Sequence, residues 1–430
     1  MIESINFRTG ISGTLLRTAQ AALAEIPHKF HAPSRKTSTD KRMMPLSVSQ
    51  TQKVEKNRDR WLVDAELLTV DPQSRISEVD LEFNPRQSLL AGNPRLAGVV
   101  TDTIGDRWIT HIEDLQQLTP LAEDPLLQSR WSAVKQANKQ ALASYLARTQ
   151  GIKIDVNSLF DLQLQPIGGS QRQLLNILHI ITLFNQVKQH PELDILPRTF
   201  IFGDLGEVEP IEMGKEETAE DESTNVRDSN LAILALIQSL AKILAADIDV
   251  NGKLQIVYIP ESAALTSQLY AAADLTQHIA TAAIEDVDVS KLQAAINGVI
   301  SIGSLGKTNH WLKQTVGEEN CFCFGLAIPE IAMFKEYGYD PYNYYKYYPE
   351  IRQAIDYLSA GYFTPKDPSL CSFQSFSSAS SLVDMLLGAD ENMVIAEYVF
   401  YAACQSHISE IYTQKSVWTR MSILNVAGVG

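Results

Sequence analysis

Leu159-Phe-Asp-Leu-Gln-Leu164 and Arg198-Thr-Phe-Ile-Phe-Gly203 flank Arg172-Gln-Leu-Leu-Asn-Ile-Leu-His-Ile-Ile-Thr-Leu-Phe-Asn185, and the fold turns on this stretch. The two outer segments are short, apolar and bounded by turn residues, which is the pattern of buried strands. Between them Leu174, Leu175, Leu178 and Ile181 recur at helical spacing, so Arg172–His190 reads as a helix. Two strands joined by a helix of that length run parallel, with a right-handed crossover. Downstream the alternation continues: a helix at Ser229–Ala246, a strand at Leu254–Ile259, and two more at Val299–Gly303 and Cys321–Gly325. Upstream, Leu126–Arg148 reads as a long helix, and Ser88–Gly92 as a short strand followed by a helix to about Gly105. Short apolar strands alternating with helices predict an α/β fold with a doubly wound, mostly parallel sheet. Ligands in such sheets sit beyond the carboxyl ends of the strands.

Composition sets the outer limits. The chain has 430 residues, 36 Lys and Arg against 51 Asp and Glu, and a net charge of −15. Hydrophobic residues make up 45 %, ample for a packed core and incompatible with a wholly disordered chain. An acidic body argues against a nucleic-acid groove. The most apolar stretch, Leu231–Ile248, is interrupted by Gln238, Ser239, Lys242 and Asp247, so it reads as a core helix and no transmembrane segment is expected. Four cysteines are too few for a disulfide scaffold and fit an intracellular, reducing setting. The charge is uneven. Residues 1–60 hold 11 basic and 5 acidic side chains, a net of +6, which leaves −21 for the remainder. This basic, Ser- and Thr-bearing arm reads first as a solvated, partly disordered terminus, and otherwise suits an acidic partner or a plastid-type transit segment. Residues 204–228 carry ten acids in 25 positions and read as a solvated, mobile excursion between a strand and a helix.

Isolated motifs carry little chemistry. Ser301-Ile-Gly-Ser-Leu-Gly-Lys-Thr308 approaches a phosphate-binding loop but lacks its first glycine. Cys321 and Cys323 are read as lying on opposite faces of a strand, hence as core residues that hold no metal together. His179 lies in an apolar helix and reads as a core histidine. Seven tyrosines, Tyr337, Tyr339, Tyr342, Tyr344, Tyr345, Tyr347 and Tyr348, read as a helix-start segment packed on the domain, although such density also suits sugar stacking.

Longer segments carry a resemblance. Residues 157–167 and 172–185, then 197–203, 271–282, 297–303, 317–325, 338–345, 349–365 and 418–427, resemble in family order the core of the glycogen (α-glucan) phosphorylases. Asn84-Pro-Arg-Gln-Ser-Leu-Leu-Ala-Gly-Asn-Pro-Arg-Leu-Ala-Gly-Val-Val100 resembles that family's entry into its second domain. The resemblance implies a Rossmann-like domain equivalent to the C-terminal half of a glycosyltransferase type-B fold, spanning 84–430. Residues 1–83 stand apart as a basic N-terminal arm.

The same resemblance implies a set of functional positions, and most depart from the family. Its members hold pyridoxal phosphate on the lysine of a Gly-Asn-Met-Lys-Phe-Met run. The gap-free counterpart is Ser290–Ala295, with Gln293 at the lysine position. An amide nitrogen is not a nucleophilic amine. Lys291 lies roughly 200° around a helix from it and is expected on another face. The family's Lys-Arg-Ile-His-Glu-Tyr-Lys-Arg-Gln run is here Gln165–Gln173, so Gln165, Pro166 and Gln171 replace three cations and Arg172 remains. Bringing two phosphates together needs several cations. The family's glycine-rich cradle is here Ile284–Ser290, which keeps Glu285, a sugar contact in the family; Asn309 matches a second family position near the sugar.

These departures imply a non-catalytic phosphorylase-like protein with no bound cofactor, acting as a structural or regulatory subunit of a complex. Another protein chain is expected across the strand carboxyl ends and the arm 1–60. An α-glucan-binding module that uses Glu285, Asn309 and the tyrosines is one alternative. A residual α-glucan phosphorylase carrying pyridoxal phosphate is the other.

Overall fold

A computed structural model describes residues 84–168, 172–203, 222–260, 265–282, 289–366 and 381–430. The basic arm, Gln171, Glu285, Cys371 and residues 204–221 lie outside the described residues, and so does the expected mobility of that acidic segment.

Six parallel strands form one sheet: β1 (Leu159–Leu164), β2 (Arg198–Gly203), β3 (Leu254–Ile259), β4 (Leu275–His278), β5 (Ile300–Ser304) and β6 (Phe322–Phe324), in the spatial order β3-β2-β1-β4-β5-β6. This is the strand order of a Rossmann-type doubly wound sheet, and it reverses direction between β1 and β4. Side chains alternate along each strand. Leu159, Phe200, Phe202, Ile256, Ile300 and Ile302 join one core with the helices Gln173–Gln189, Glu222–Ala246, Pro349–Ser359 and Val394–Thr413. Phe160, Leu162, Ile201 and Val257 point to the other face, against Leu142 and Leu146 of the helix Pro125–Thr149. The helices Pro85–Gly92 and Pro94–Ile104 form a third cluster with the helix Lys415–Gly428.

Three expectations need correction. Residues 88–92 are helical: the helix Pro85–Gly92 starts on a proline, with the Asn84 side chain accepting from Gln87 N at 3.2 Å. This is the N-cap chemistry that favours a helix over a strand. The helix expected from Ser229 begins at Glu222, so the last seven residues of the acidic excursion are helical. Strand β4 is absent from the pattern reading because its residues Thr276, Gln277 and His278 are polar, yet all are buried.

The stretch Ser229–Ala246 is apolar enough to cross a bilayer by length and composition. Ile233, Leu236, Ile237, Leu240 and Leu244 nevertheless sit in the core beside the sheet.

Polar residues stitch the sheet's centre. Asp161 accepts from Arg198 Nη1 at 3.2 Å and from Gln277 Nε2 at 2.8 Å. Gln277 Oε1 accepts from the Tyr401 hydroxyl at 2.9 Å, and Gln405 Oε1 from Arg198 at 2.5 Å. Burial holds the Asp161 carboxyl above its usual range, against the pull of Arg198. His179 is buried edge-on against Tyr401 and burial pushes its pKa down to about 3, so it is a neutral core histidine.

Candidate functional site

The crevice between the exits of β1 and β4 is where this topology places a ligand. At the β1 exit, Gln165 is buried and its Oε1 has no hydrogen-bond partner. Pro166 is exposed, and its carbonyl accepts from Gln173 Nε2 at 2.9 Å. Gln173 Oε1 in turn accepts from Gly168 N at 3.2 Å, so one helix-start side chain pins the loop.

Arg172 dominates this rim. It adopts a left-handed backbone, φ 54°, directly before the helix Gln173–Gln189. Its guanidinium is fully buried and pairs with Glu397 Oε2 at 2.8 Å. Its Nε donates to the Ile279 carbonyl at 2.6 Å and its Nη1 to Asn392 at 3.3 Å. Glu397 Oε1 accepts from Leu326 N at 3.0 Å, just past β6. One ion pair thus ties together the exits of β1, β4 and β6 and the start of the helix Val394–Thr413. The Nη2 of Arg172 is buried as well and has no hydrogen-bond partner, so Glu397 and the two carbonyls engage the guanidinium only through Nε and Nη1.

Among the described residues, the non-glycine positions with positive φ are Arg172, Asp390 and Met393, and they gather at this rim. The Asn392 carbonyl accepts from both Arg172 and Thr281 Oγ1. Asp390 accepts from Val394 N and Ile395 N, each at 2.8 Å, and from the Tyr339 hydroxyl at 2.7 Å. Burial pushes its pKa up to about 6, partly offset by these donors.

The other positions taken from the sequence separate. Gln293 is half-buried in the helix Val289–Ile296, where its backbone carbonyl accepts from Asn297 Nδ2 at 2.8 Å. Lys291 is buried in the same helix, and its charge acts on the Cys323 thiol of β6. Asn309 is buried, with its amide donating to the carbonyls of His278 at 3.3 Å and Ser304 at 2.9 Å. A Cβ at Gly303 would sit on that amide, so the backbone there must be bare. Asn309 therefore braces β4 against β5.

Of the tyrosines whose side chains are described, Tyr339, Tyr344, Tyr345 and Tyr348 pack on the domain as expected, with Tyr344 stacked on Tyr348 and edge-on to Tyr339, whereas Tyr342 and Tyr347 are exposed. The cysteine geometry is corrected. Cys321 and Cys323 are two apart, which places them on one face, and the Cys321 thiol donates to the Gly317 carbonyl at 3.9 Å. Both are buried, as core residues should be, and among the described residues no group of three or more His, Cys, Asp or Glu side chains could hold a metal.

The Carbohydrate phosphorylase family profile matches residues 73–430. The chain belongs to the carbohydrate phosphorylase family. It is 34% identical over 347 residues to the glycogen phosphorylase of Synechocystis sp., covering 80% of this chain and 38% of that protein. It is 34% identical over 350 residues to the muscle form of Mus musculus and 32% to the brain form of Ovis aries, covering 81% of this chain and 38% of each relative. This phosphorylase-family chain therefore spans well under half the length of the relatives it matches.

Pyridoxal phosphate, the cofactor implied by the family, does not fit the residues present. The imine needs a primary amine where Gln293 offers an amide. The rim cation Arg172 is already paired with Glu397 through Nη1. Gln165 and Pro166 supply no charge. Sequence reasoning missed Glu397 and Asp390. The signal for Glu397 was legible: one acid inside Val394-Ile-Ala-Glu-Tyr-Val-Phe400 implies a buried partner.

Proposed function

We propose that this chain is a phosphorylase-fold domain without phosphorolytic chemistry, which acts as a structural or regulatory subunit by binding another protein chain across the carboxyl ends of its sheet. The observation that carries the reading is Gln293, an amide at the position of the cofactor lysine. Arg172 supports it, because its ion pair with Glu397 and its bond to the Ile279 carbonyl use this cation to tie the crevice rim together. The three described cysteines are free, which suits an intracellular setting. The names of the relatives favour the competing reading of a residual glucan phosphorylase, and that reading makes an opposite forecast.

The purified full chain shows no visible absorbance of protein-bound pyridoxal phosphate, no borohydride-reducible adduct, and no glucose 1-phosphate release from glycogen and inorganic phosphate. Gln293→Lys alone restores none of these, since Gln165, Pro166 and Gln171 still lack the phosphate cations. A reducible adduct at Lys291, or release of glucose 1-phosphate, overturns the reading. For the subunit role, Pro166→Arg places a bulky charge on the exposed β1 exit and lowers recovery of a co-purifying chain. Unchanged recovery removes this face as the interface.

A further inference from the structure

The two edges of the sheet are finished differently. β6 has three residues, and its Phe322 stacks on Trp418 with planes 22° apart. β3 has six, Leu254-Gln-Ile-Val-Tyr-Ile259, with no charge and no proline. Among the described residues no strand lies on its outer side. Arg198 N donates to the Lys253 carbonyl at 2.8 Å, so Lys253, Gln255 and Val257 turn their backbone groups to β2, and the N–H and C=O of Ile256 point outward. A long, uncharged, apolar edge of this kind pairs with another chain unless charge, proline or a covering element blunts it. Lys253 offers no such block, because its Nζ is tied back to the carbonyls of Pro191 at 2.6 Å and Leu193 at 3.1 Å.

The crossover helix Glu222–Ala246, which packs on β2 and β3, carries an open face of its own. Only 33% of its apolar stretch Ser229–Ala246 is buried. Away from the core, Leu231 is 55% exposed, Gln238 and Ala245 are exposed, and Leu234 and Ala241 are half-buried. These five recur at steps of three and four, the spacing at which two helices pair, and none is charged; Lys242 flanks them. Just past the helix, Asp247 and Asp249 are already matched by Lys188, at 3.0 and 2.5 Å.

We propose that the β3 edge and this helix strip form a two-fold interface with a second copy of this chain, β3 pairing antiparallel with itself about Ile256. The occupant follows from charge. The chain carries −15, so two copies repel except through a neutral face, and an oppositely charged partner would find no charge here to match. The strand is also self-complementary. With Ile256 on the axis, its N–H and C=O bond the same groups of the second copy, and Leu254 falls opposite Tyr258, an aliphatic–aromatic pair. The spacing closes as well. Paired strands lie about 4.8 Å apart, so a helix centred over β2 and β3 stands about 10 Å from its mate. Helices pack at that separation. This edge is two strands away from the crevice and takes no part in the reading of Gln293.

The test is the mass of the full chain in solution by light scattering, with hydrogen exchange read at the Ile256 amide. The parent has about twice the chain mass of 47.7 kDa, and its Ile256 amide is protected and loses protection on dilution. Leu231→Glu combined with Gln238→Glu sets like charges against each other across the axis. It weakens self-association at least about tenfold and exposes the amide. Leu126→Glu, on a residue 70% exposed at the start of the helix Pro125–Thr149, leaves both readouts at the parent's values. Circular dichroism that matches the parent excludes unfolding as the cause. A parent that stays monomeric at its highest soluble concentration overturns the proposal, and so does a dimer that survives the double variant. A monomer whose Ile256 amide is protected until residues 1–60 are deleted assigns the edge to the chain's own arm. A monomer that co-sediments with phosphatidylcholine vesicles assigns the helix strip to lipid. Either result overturns the second copy as the occupant.

Discussion

At the scale of single residues, the crevice rim is held by groups that are costly to bury alone. Glu397 and Arg172 are both 0% exposed, so removing one strands the other. Glu397→Ala should destabilise the domain by about 3–5 kcal/mol, whereas Glu397→Gln, which keeps the acceptor for Leu326 N, should cost less. Chemical denaturation of both variants checks the ranking, and equal losses would mean that the charge carries the whole interaction and the retained acceptor contributes little. Asp390 makes a pH forecast. Its folded pKa of about 6 lies above its ordinary 3.8, so the folded chain holds this proton more tightly than the unfolded one. Its contribution to stability is therefore full below the ordinary value and is lost as pH rises to about 6, over about two units at about 1.4 kcal/mol each. Asp390→Asn should flatten that part of the stability–pH curve. A variant with the parent's slope between about pH 4 and 6 would assign the titration to another group.

Among the elements, the helix Glu222–Ala246 separates two readings of one apolar stretch. Leu236 is fully buried in the core and Ile248, just past the helix, is 89% exposed. Leu236→Ala should cost about 2–5 kcal/mol and Ile248→Lys less than about 0.5 kcal/mol. A bilayer-spanning segment would give a different pattern, with the lysine costly for membrane insertion and the alanine mild. Strands β1, β2 and β3 and the helices around them were legible in the sequence because each carries its apolar residues at a clear period. Strand β4 was not, because its stability comes from partners far away in the chain: Gln277 reaches Asp161 and Tyr401. Residues 88–92 were misread for the opposite reason, since the deciding signals, Asn84 and Pro85, lie upstream of the apolar run. At the site, Gln293 and Gln165 were visible as substitutions in a known pattern. The engagement of Arg172 with Glu397 was not, because 225 residues separate them.

Over the whole molecule, the helix Lys415–Gly428 is the piece against which the rest closes. Ser422 Oγ donates to the Gly298 carbonyl at 2.5 Å and accepts from Trp131 Nε1 at 2.9 Å. Gly298 has φ 63°, and a Cβ there would lie 2.5 Å from Ser422 Oγ. Gly298→Val should therefore push this helix off the helix Val289–Ile296, with a loss of about 1–3 kcal/mol or more and faster proteolytic cleavage near residue 415. Unchanged cleavage would show that the helix tolerates the shift.

The pairing of Trp131 with Ser422 has a consequence for biosynthesis. The two residues are 291 positions apart, and a ribosome adds about 5–20 residues per second. The helices Pro85–Gly92 and Pro94–Ile104 thus emerge into the cell tens of seconds before the segment that covers them. Through that interval Leu89, Val100 and Trp108 have Leu115, Leu118, Leu127 and Trp131 to pack against but lack Ile423, Leu424 and Val426, so a chaperone that grips aromatic and aliphatic surface would find its target there, upstream of every strand in the sheet.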